Sequence, residues 1–300
     1  MTITTGSLPD TPPDFPGAPG GVSWFDGTPG DEEAVAPRQE LSEASVRQVA
    51  AGERPRLVPA PDLTVVLPRG YTDATSVAHT LVKVRELTGR DEETLARYKG
   101  MEEAFNAILC LGTDSIGTLD LASEPVSART RVLGTLLLGE RLMIYLKIAE
   151  ATFGNEREFQ FVCGTCEKQQ TTTILLDQDF PIEIPESLRM LHDFTLRSGR
   201  VVTYRLLTGN DTLDMAHSDN RSLAEVNTEM LSKIITAIDG EPPFDVTEEV
   251  LSLSIGDRDR LLADVAKHQP TPALPDLKIN CIGCHEEVTA PVAWGDLFRS

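Results

Sequence analysis

Two Cys-x-x-Cys pairs, Cys163-Gly-Thr-Cys166 and Cys281-Ile-Gly-Cys284, constrain this chain more than any other feature. Strand-like residues lead into each pair: Phe159-Gln-Phe-Val before the first, Leu277-Lys-Ile-Asn before the second. A tight turn between strands aims both sulfurs of such a pair at one point, and structural zinc takes four thiolates in a tetrahedron. Two knuckles therefore predict one closed Zn2+ site, one ion per chain, with Cys163, Cys166, Cys281 and Cys284 as ligands. Ordinary zinc ribbons separate their pairs by roughly 15–20 residues. Here 114 residues lie between Cys166 and Cys281. Three rival readings stay open at this stage: a redox pair, two metals shared across a dimer, and four reduced thiols. A thioredoxin-like redox pair opens a helix, and neither pair here precedes a helical pattern.

A repeated order of markers accounts for the long gap. Thr88-Gly-Arg-Asp91 opens a predicted helix running to about Leu111, and Thr208-Gly-Asn-Asp211 stands in the same place later on. In such a start the threonine hydroxyl can cap free N–H groups while the acidic residue three places on answers it. Gly139-Glu-Arg-Leu-Met-Ile-Tyr-Leu-Lys-Ile-Ala149 matches Gly256-Asp-Arg-Asp-Arg-Leu-Leu-Ala-Asp-Val-Ala266, with glycine, arginine and alanine in register. The cysteine pairs close the series. The offset between markers stays between 117 and 120 residues. The predicted fold class is α+β, an internally duplicated unit of strands, helices and a knuckle. One copy spans residues 63–180 and the other 181–300, and a two-fold-like arrangement would join the knuckles in one zinc-ribbon-like site.

Local patterns fill in the units. Leu63-Thr-Val-Val-Leu67 reads as a strand ended by Pro68-Arg-Gly70, and Val77 to Leu87 as a second strand. Phe194 to Leu207 reads as a hairpin with a Ser198-Gly199 turn. Helices are expected over Leu138–Ala151 and Ser222–Ile238, the latter a single element.

Residues 1–62 differ in kind. They hold ten of the 20 prolines, seven of the 22 glycines, ten acidic residues and four basic ones. Apart from a short helical stretch around Glu40 to Ala51, no apolar period runs through them. Too little apolar surface is available there to offset the entropy of ordering. The expectation is a disordered acidic tail, with Trp24-Phe25 as an aromatic docking motif for a partner.

The formal net charge of −20 repels phosphates and anionic lipid heads, which argues against nucleic acid and bare membrane as partners. The most apolar stretch, Val132 to Ala149, is broken by Gly139, Glu140, Arg141 and Lys147, so no direct membrane insertion is expected. The first residues lack a basic and then apolar leader pattern, and the expected location is the cytoplasm. Thiols there stay reduced, which favours metal over disulfide. No P-loop, Gly-x-Ser-x-Gly or His-Glu-x-x-His motif occurs. Cys110 sits in an apolar run and reads as core. His285 follows Cys284 directly and reads as a neighbour of the site rather than a ligand. His79, His192, His217 and His268 are scattered without metal spacing.

Together these residues resemble a known family. The order is a Leu-Thr-Gly-x-x-Asp/Glu helix start, Gly-Glu-Arg, Thr152-Phe-Gly154, and two Cys-x-x-Cys strands. It ends in a short aromatic tail, Trp294-Gly-Asp-Leu-Phe298. Over roughly Leu63 to Ser300 the chain resembles the baseplate hub assembly chaperone-like proteins of T4-type contractile phage tails and phage-like injection systems. Family members often carry Cys-Pro-x-Cys, where this chain has Gly164 and Ile282. The resemblance implies a non-enzymatic protein that helps build, or sits in, the baseplate around the spike and tube. Its implied partners are hub, spike or tube-initiation proteins, with Trp294 and Phe298 as further contact residues. A stand-alone zinc-ribbon adaptor recruiting partners through the tail is the alternative.

Overall fold

The structure, a computed structural model, describes residues 62–215, 221–273, 277–290 and 294–298. The expected tail, its short helix and Trp24-Phe25 lie outside the described residues. Within them the fold is α+β: eight α-helices and several small antiparallel sheets.

In the first half, β1 (Thr64–Thr72), β2 (Ala78–Val84), β3 (Thr113–Ile116) and β4 (Leu119–Asp120) form one sheet in that order. Period-two alternation turns Leu67, Val82 and Val84 inward and leaves Val66 and its partner Leu81 outside. Pro68 does not end β1 as expected. The register shifts between Val66 and Tyr71, and the N–H groups of Arg69 and Gly70 leave the ladder to donate to Glu140 Oε1 at 2.6 and 2.7 Å. The fully buried Glu140 carboxylate also accepts from Leu137 N at 3.2 Å, so it serves a bulge and a helix start together.

The helix expected from Asp91 to Leu111 is two helices, α1 (Gly89–Leu95) and α2 (Met101–Gly112), because Gly100 becomes a new N-cap. α2 runs directly into β3. α3 (Val126–Gly134), not foreseen, leads to α4 (Leu138–Phe153). α4 lies over β1, β2 and α2, burying Ile144 and Ile148 against Leu67, Val82 and Leu109. Each such side chain contributes roughly 1.5–3 kcal/mol by leaving water.

The second half uses the same vocabulary. β8 (Leu191–Thr195), β9 (Val201–Arg205) and β10 (Ile235–Ile238) form a three-stranded sheet, with Gly199 at φ 87° in the hairpin turn. α5 (Gly209–Met215) follows β9, as α1 follows β2. The single helix expected over Ser222–Ile238 stops at Ile234: α6 (Leu223–Ile234) hands over to β10, where the β-branched residues pair with β9. α7 (Val246–Ser252) and α8 (Ile255–His268) complete a second core around Tyr204, Leu231, Ile234, Leu261 and Val265.

The same staple sits at both strand-to-helix corners. Arg85 grips Asp91 through two bonds of 2.9 and 3.0 Å, and Asp91 accepts from Thr88 N and Oγ1 at 2.8 Å. Arg205 grips Asp211 at 2.7 and 2.6 Å, and Asp211 accepts from Thr208 N and Oγ1 at 2.8 Å. At Thr88 both halves of the expected capping box are present, and in both corners the threonine hydroxyl also donates to the aspartate. The two corners are engaged differently. Leu138 N donates to Leu207 O, and Gly209 N to Leu136 O, joining the α3–α4 corner to the β9–α5 corner. The matching glycine of the other corner, Gly89, is exposed, with no atom of the described residues within 4 Å of where a Cβ would stand.

Candidate metal centre

Two hairpins carry the cysteines. β5 (Glu156–Val162) pairs with β6 (Gln169–Leu175), and β12 (Leu277–Asn280) with β13 (Glu287–Ala290). Their turns follow one plan. Cys163 N donates to Lys168 O and Glu167 N to Cys163 O, both at 2.9 Å; Cys281 N donates to Glu286 O and His285 N to Cys281 O at the same distance. The residue after the second cysteine is left-handed in each, Glu167 at φ 57° and His285 at φ 61°. This turns the chain sharply enough to aim both sulfurs inward. Backbone donors reach the leading sulfurs: Thr165 N lies 3.4 Å from Cys163 Sγ, and Gly283 N 3.2 Å from Cys281 Sγ.

Folding brings the two remote turns together. Cys163 Sγ is 3.9 Å from Cys284 Sγ, and Cys166 Sγ is 3.4 Å from Cys281 Sγ. All four sulfurs lie within 4.8 Å of one another, and none is in a disulfide. A tetrahedron with Zn–S bonds of about 2.3 Å has edges of about 3.8 Å, so the donor set fits an ion of that kind. A further bond, Ile282 N to Gln170 Oε1 at 3.1 Å, ties the second knuckle to the first hairpin.

The thiols divide in two. The N–H of Cys284 holds the Cys281 thiol down at about 6, and that of Cys166 lowers Cys163. Cys284 is pulled down by Glu286 N–H, yet burial and the neighbouring sulfurs carry it up to about 12; Cys166 is raised as well. Four thiolates this close repel unless a cation neutralises them. The four cysteines are thus a group that could hold a metal ion, with every donor supplied by protein.

The other named residues separate clearly. His285 is exposed and outside the four-sulfur group. Cys110 is buried in the first core with its thiol 3.4 Å from Thr130 Oγ1. Trp294 and Phe298 sit on a 3-10 turn, both half-buried. The Trp294 ring lies 5.6 Å from Phe180 and the Phe298 ring 4.8 Å from Tyr145. They line a groove of 490 Å3 with Leu95, Tyr98, Met101 and Phe105. His192 and His268 are not scattered: β8 and α8 bring their rings to 4.1 Å, beside Tyr204.

One residue that sequence reasoning left without a role stands out. Arg141 is fully buried, donates to Asn106 Oδ1 at 2.5 Å and Thr212 Oγ1 at 3.1 Å, and lies over the Phe105 ring. It joins α4 and α2 of the first half to α5 of the second. The signal was present in the paired Gly-acid-Arg triplets at 139–141 and 256–258.

The molecule is an α+β protein with a four-cysteine cluster made by two knuckles. Among its described residues no helix is long and apolar enough to cross a membrane. Residues 61–290 match the family described as T4 bacteriophage base plate protein, and the chain belongs to that family. Membership supports a structural role among the components of a phage-type tail baseplate. No curated protein and no solved structure matches the chain.

Proposed function

We propose that this protein is a non-enzymatic, zinc-binding assembly or structural component of a contractile tail or injection-system baseplate. In this reading it binds hub, spike or tube-initiation proteins. The observation that carries the proposal is the conjunction of the family match over 61–290 with four sulfurs gathered from turns 114 residues apart. Cys163, Cys166, Cys281 and Cys284 hold one zinc ion, which supplies a cross-link and leaves no position for water or substrate. Residues 63–180 and 181–300 are two copies of one unit. The repeated Arg–Asp–Thr staples, the matching sheet orders and the two alike knuckles support this. Trp294 and Phe298, lining an apolar groove, are the partner-facing aromatics, and Trp24 and Phe25 are a second contact.

Two measurements test this. Elemental analysis of purified protein should give one zinc per chain. A strain lacking the gene should express sheath and tube proteins yet show no complete particles by electron microscopy. Normal numbers of intact particles would overturn the baseplate role and favour the zinc-ribbon adaptor.

A further inference from the structure

One interface inside the chain has an open counterpart. α5 packs across α2 and α3. Its first residue, Gly209, is buried, and a Cβ there would stand 2.5 Å from Arg141 Cδ. Arg141 spans the joint, bonded to Asn106 on α2 and to Thr212 on α5. A register of 117 to 122 residues carries each part to a second place. There α2 and α3 become α6 and α7, α5 becomes α1, Arg141 becomes Arg258, Gly209 becomes Gly89, and Thr212 becomes Glu92.

In that second place the parts exist but do not meet. Arg258 keeps the helix-side bonds, donating to Thr228 Oγ1 at 2.7 Å and Ala224 O at 3.1 Å on α6. Between α6 and α7 runs a groove of 660 Å3 whose lining includes Thr228, Val246, Leu251 and Arg258. Around it Leu223, Leu251 and Ile255 are 76%, 54% and 79% exposed. Gly89 is exposed with nothing among the described residues within 4 Å of a Cβ, so no contact among them calls for glycine there. Glu92 is exposed on the same helix.

We propose that these two surfaces fit each other between copies of the chain: α1 of one molecule docks in the α6–α7 groove of the next. The inference rests on reading 63–180 and 181–300 as copies of one unit. The occupant is a second copy because the matching piece is carried by this chain. α1 has the same staple, Arg85–Asp91–Thr88, that shapes the corner before α5. The groove also carries Glu225 and Glu229 beside Lys233, and the charge match is local, at Arg258. Where Thr212 meets Arg141 within the chain, Glu92 meets Arg258 between chains, so a neutral contact is replaced by an ion pair. The two surfaces differ, so the association is head-to-tail and leaves one free surface of each kind, closing as a ring or growing as a filament.

Sedimentation velocity on the full chain, with zinc and reductant present, tests this. The mean mass should rise with concentration. Gly89→Trp, which fills open space in the monomer, and Leu251→Asp should each stay monomeric alone. Mixed one to one they should form heterodimers and nothing larger, since the pair retains one intact α1 and one intact groove. Arg258→Glu or Glu92→Arg should weaken association about tenfold, and the two together in one chain should restore it. A wild-type chain that stays monomeric throughout, or variants that fail to pair when mixed, would overturn the proposal. Gly209→Leu separates it from the duplication reading. A large drop in melting temperature upholds the internal interface as a template, so a monomeric wild type then overturns the association alone. An unchanged melting temperature removes the internal joint as a template, and sedimentation alone then upholds or overturns the association.

Discussion

Arg141 and Arg258 occupy matching places in the two halves, third in a Gly-acid-Arg run at the start of a long helix. Each bonds to a neighbouring helix, Arg141 to α2 and Arg258 to α6. Yet Arg141 is fully buried and Arg258 only half-buried. Nothing in the triplets decides this. The second half supplies a lid over Arg141, in α5, Thr212 and Gly209, and nothing among the described residues does so for Arg258. The cost or benefit of a charge is therefore set by what the rest of the fold lays over it. Buried, such a group stabilises only while its partners remain, and its loss strands them.

The largest expected effect ignores the difference between the halves, because both knuckles serve one centre. Zinc-thiolate sites contribute on the order of 10 kcal/mol to folding. Cys163→Ser and Cys281→Ser should lose zinc alike and cost much of the fold, and a strong chelator should do the same to the wild type. Thermal unfolding with and without chelator checks this; an unchanged melting temperature would remove zinc from the account.

Next comes the arginine pair. Arg141→Ala leaves Asn106, Glu102 and Thr212 facing a cavity and should cost roughly 3–5 kcal/mol in urea unfolding. Arg258→Ala should cost under about 1 kcal/mol when the protein is dilute. Equal losses would mean that burial is not what separates the two sites.

How far all this was legible follows from the range of the forces involved. The knuckles could be read because a four-residue turn fixes where two sulfurs point. A loosely alternating strand, β2, and a hairpin with a Ser-Gly turn were equally plain. What stayed hidden depends on distant residues. Glu140 rescues β1 past Pro68 from 70 positions away, β9 recruits Ile235 to Ile238 out of a helical run, and α5 covers Arg141. The meeting of His192 with His268 is likewise a tertiary event.

A smaller effect separates the two staples by pH. The Arg85 guanidinium beside Asp91 holds its carboxyl well below the usual range. Burial pulls Asp211 upward, but Arg205 and the Thr208 donors still hold it below its ordinary value. Carboxyls depressed in the folded state stabilise fully above their unfolded pKa, about 3.9, and that contribution is lost as pH falls through the folded value. Asp91→Asn and Asp211→Asn should each cost about 1 kcal/mol at neutral pH. Both gaps should narrow only below about pH 4. The Asp211 gap should close first, because opposing burial leaves its carboxyl less firmly held. A gap that widens in acid would reverse the sign of the argument.

The smallest effect should be favourable, and it compares the knuckles directly. Glu167 and His285 hold left-handed backbone at φ 57° and 61°, where any residue with a Cβ is strained by roughly 1–2 kcal/mol. Glycine removes that strain but loses more freedom on folding, a cost of about 0.5–1 kcal/mol. Glu167→Gly and His285→Gly should therefore each stabilise the zinc-loaded protein by under about 1 kcal/mol. The gains should be nearly equal, since the two turns share their hydrogen bonds atom for atom. The control is alanine at the same positions. Alanine keeps the Cβ and the strain, so it should give no gain. If Glu167→Ala stabilises as much as Glu167→Gly, the relief comes from losing the side chain, and backbone strain has no part in it. If only one knuckle responds to glycine, the turns differ in something their shared geometry does not carry.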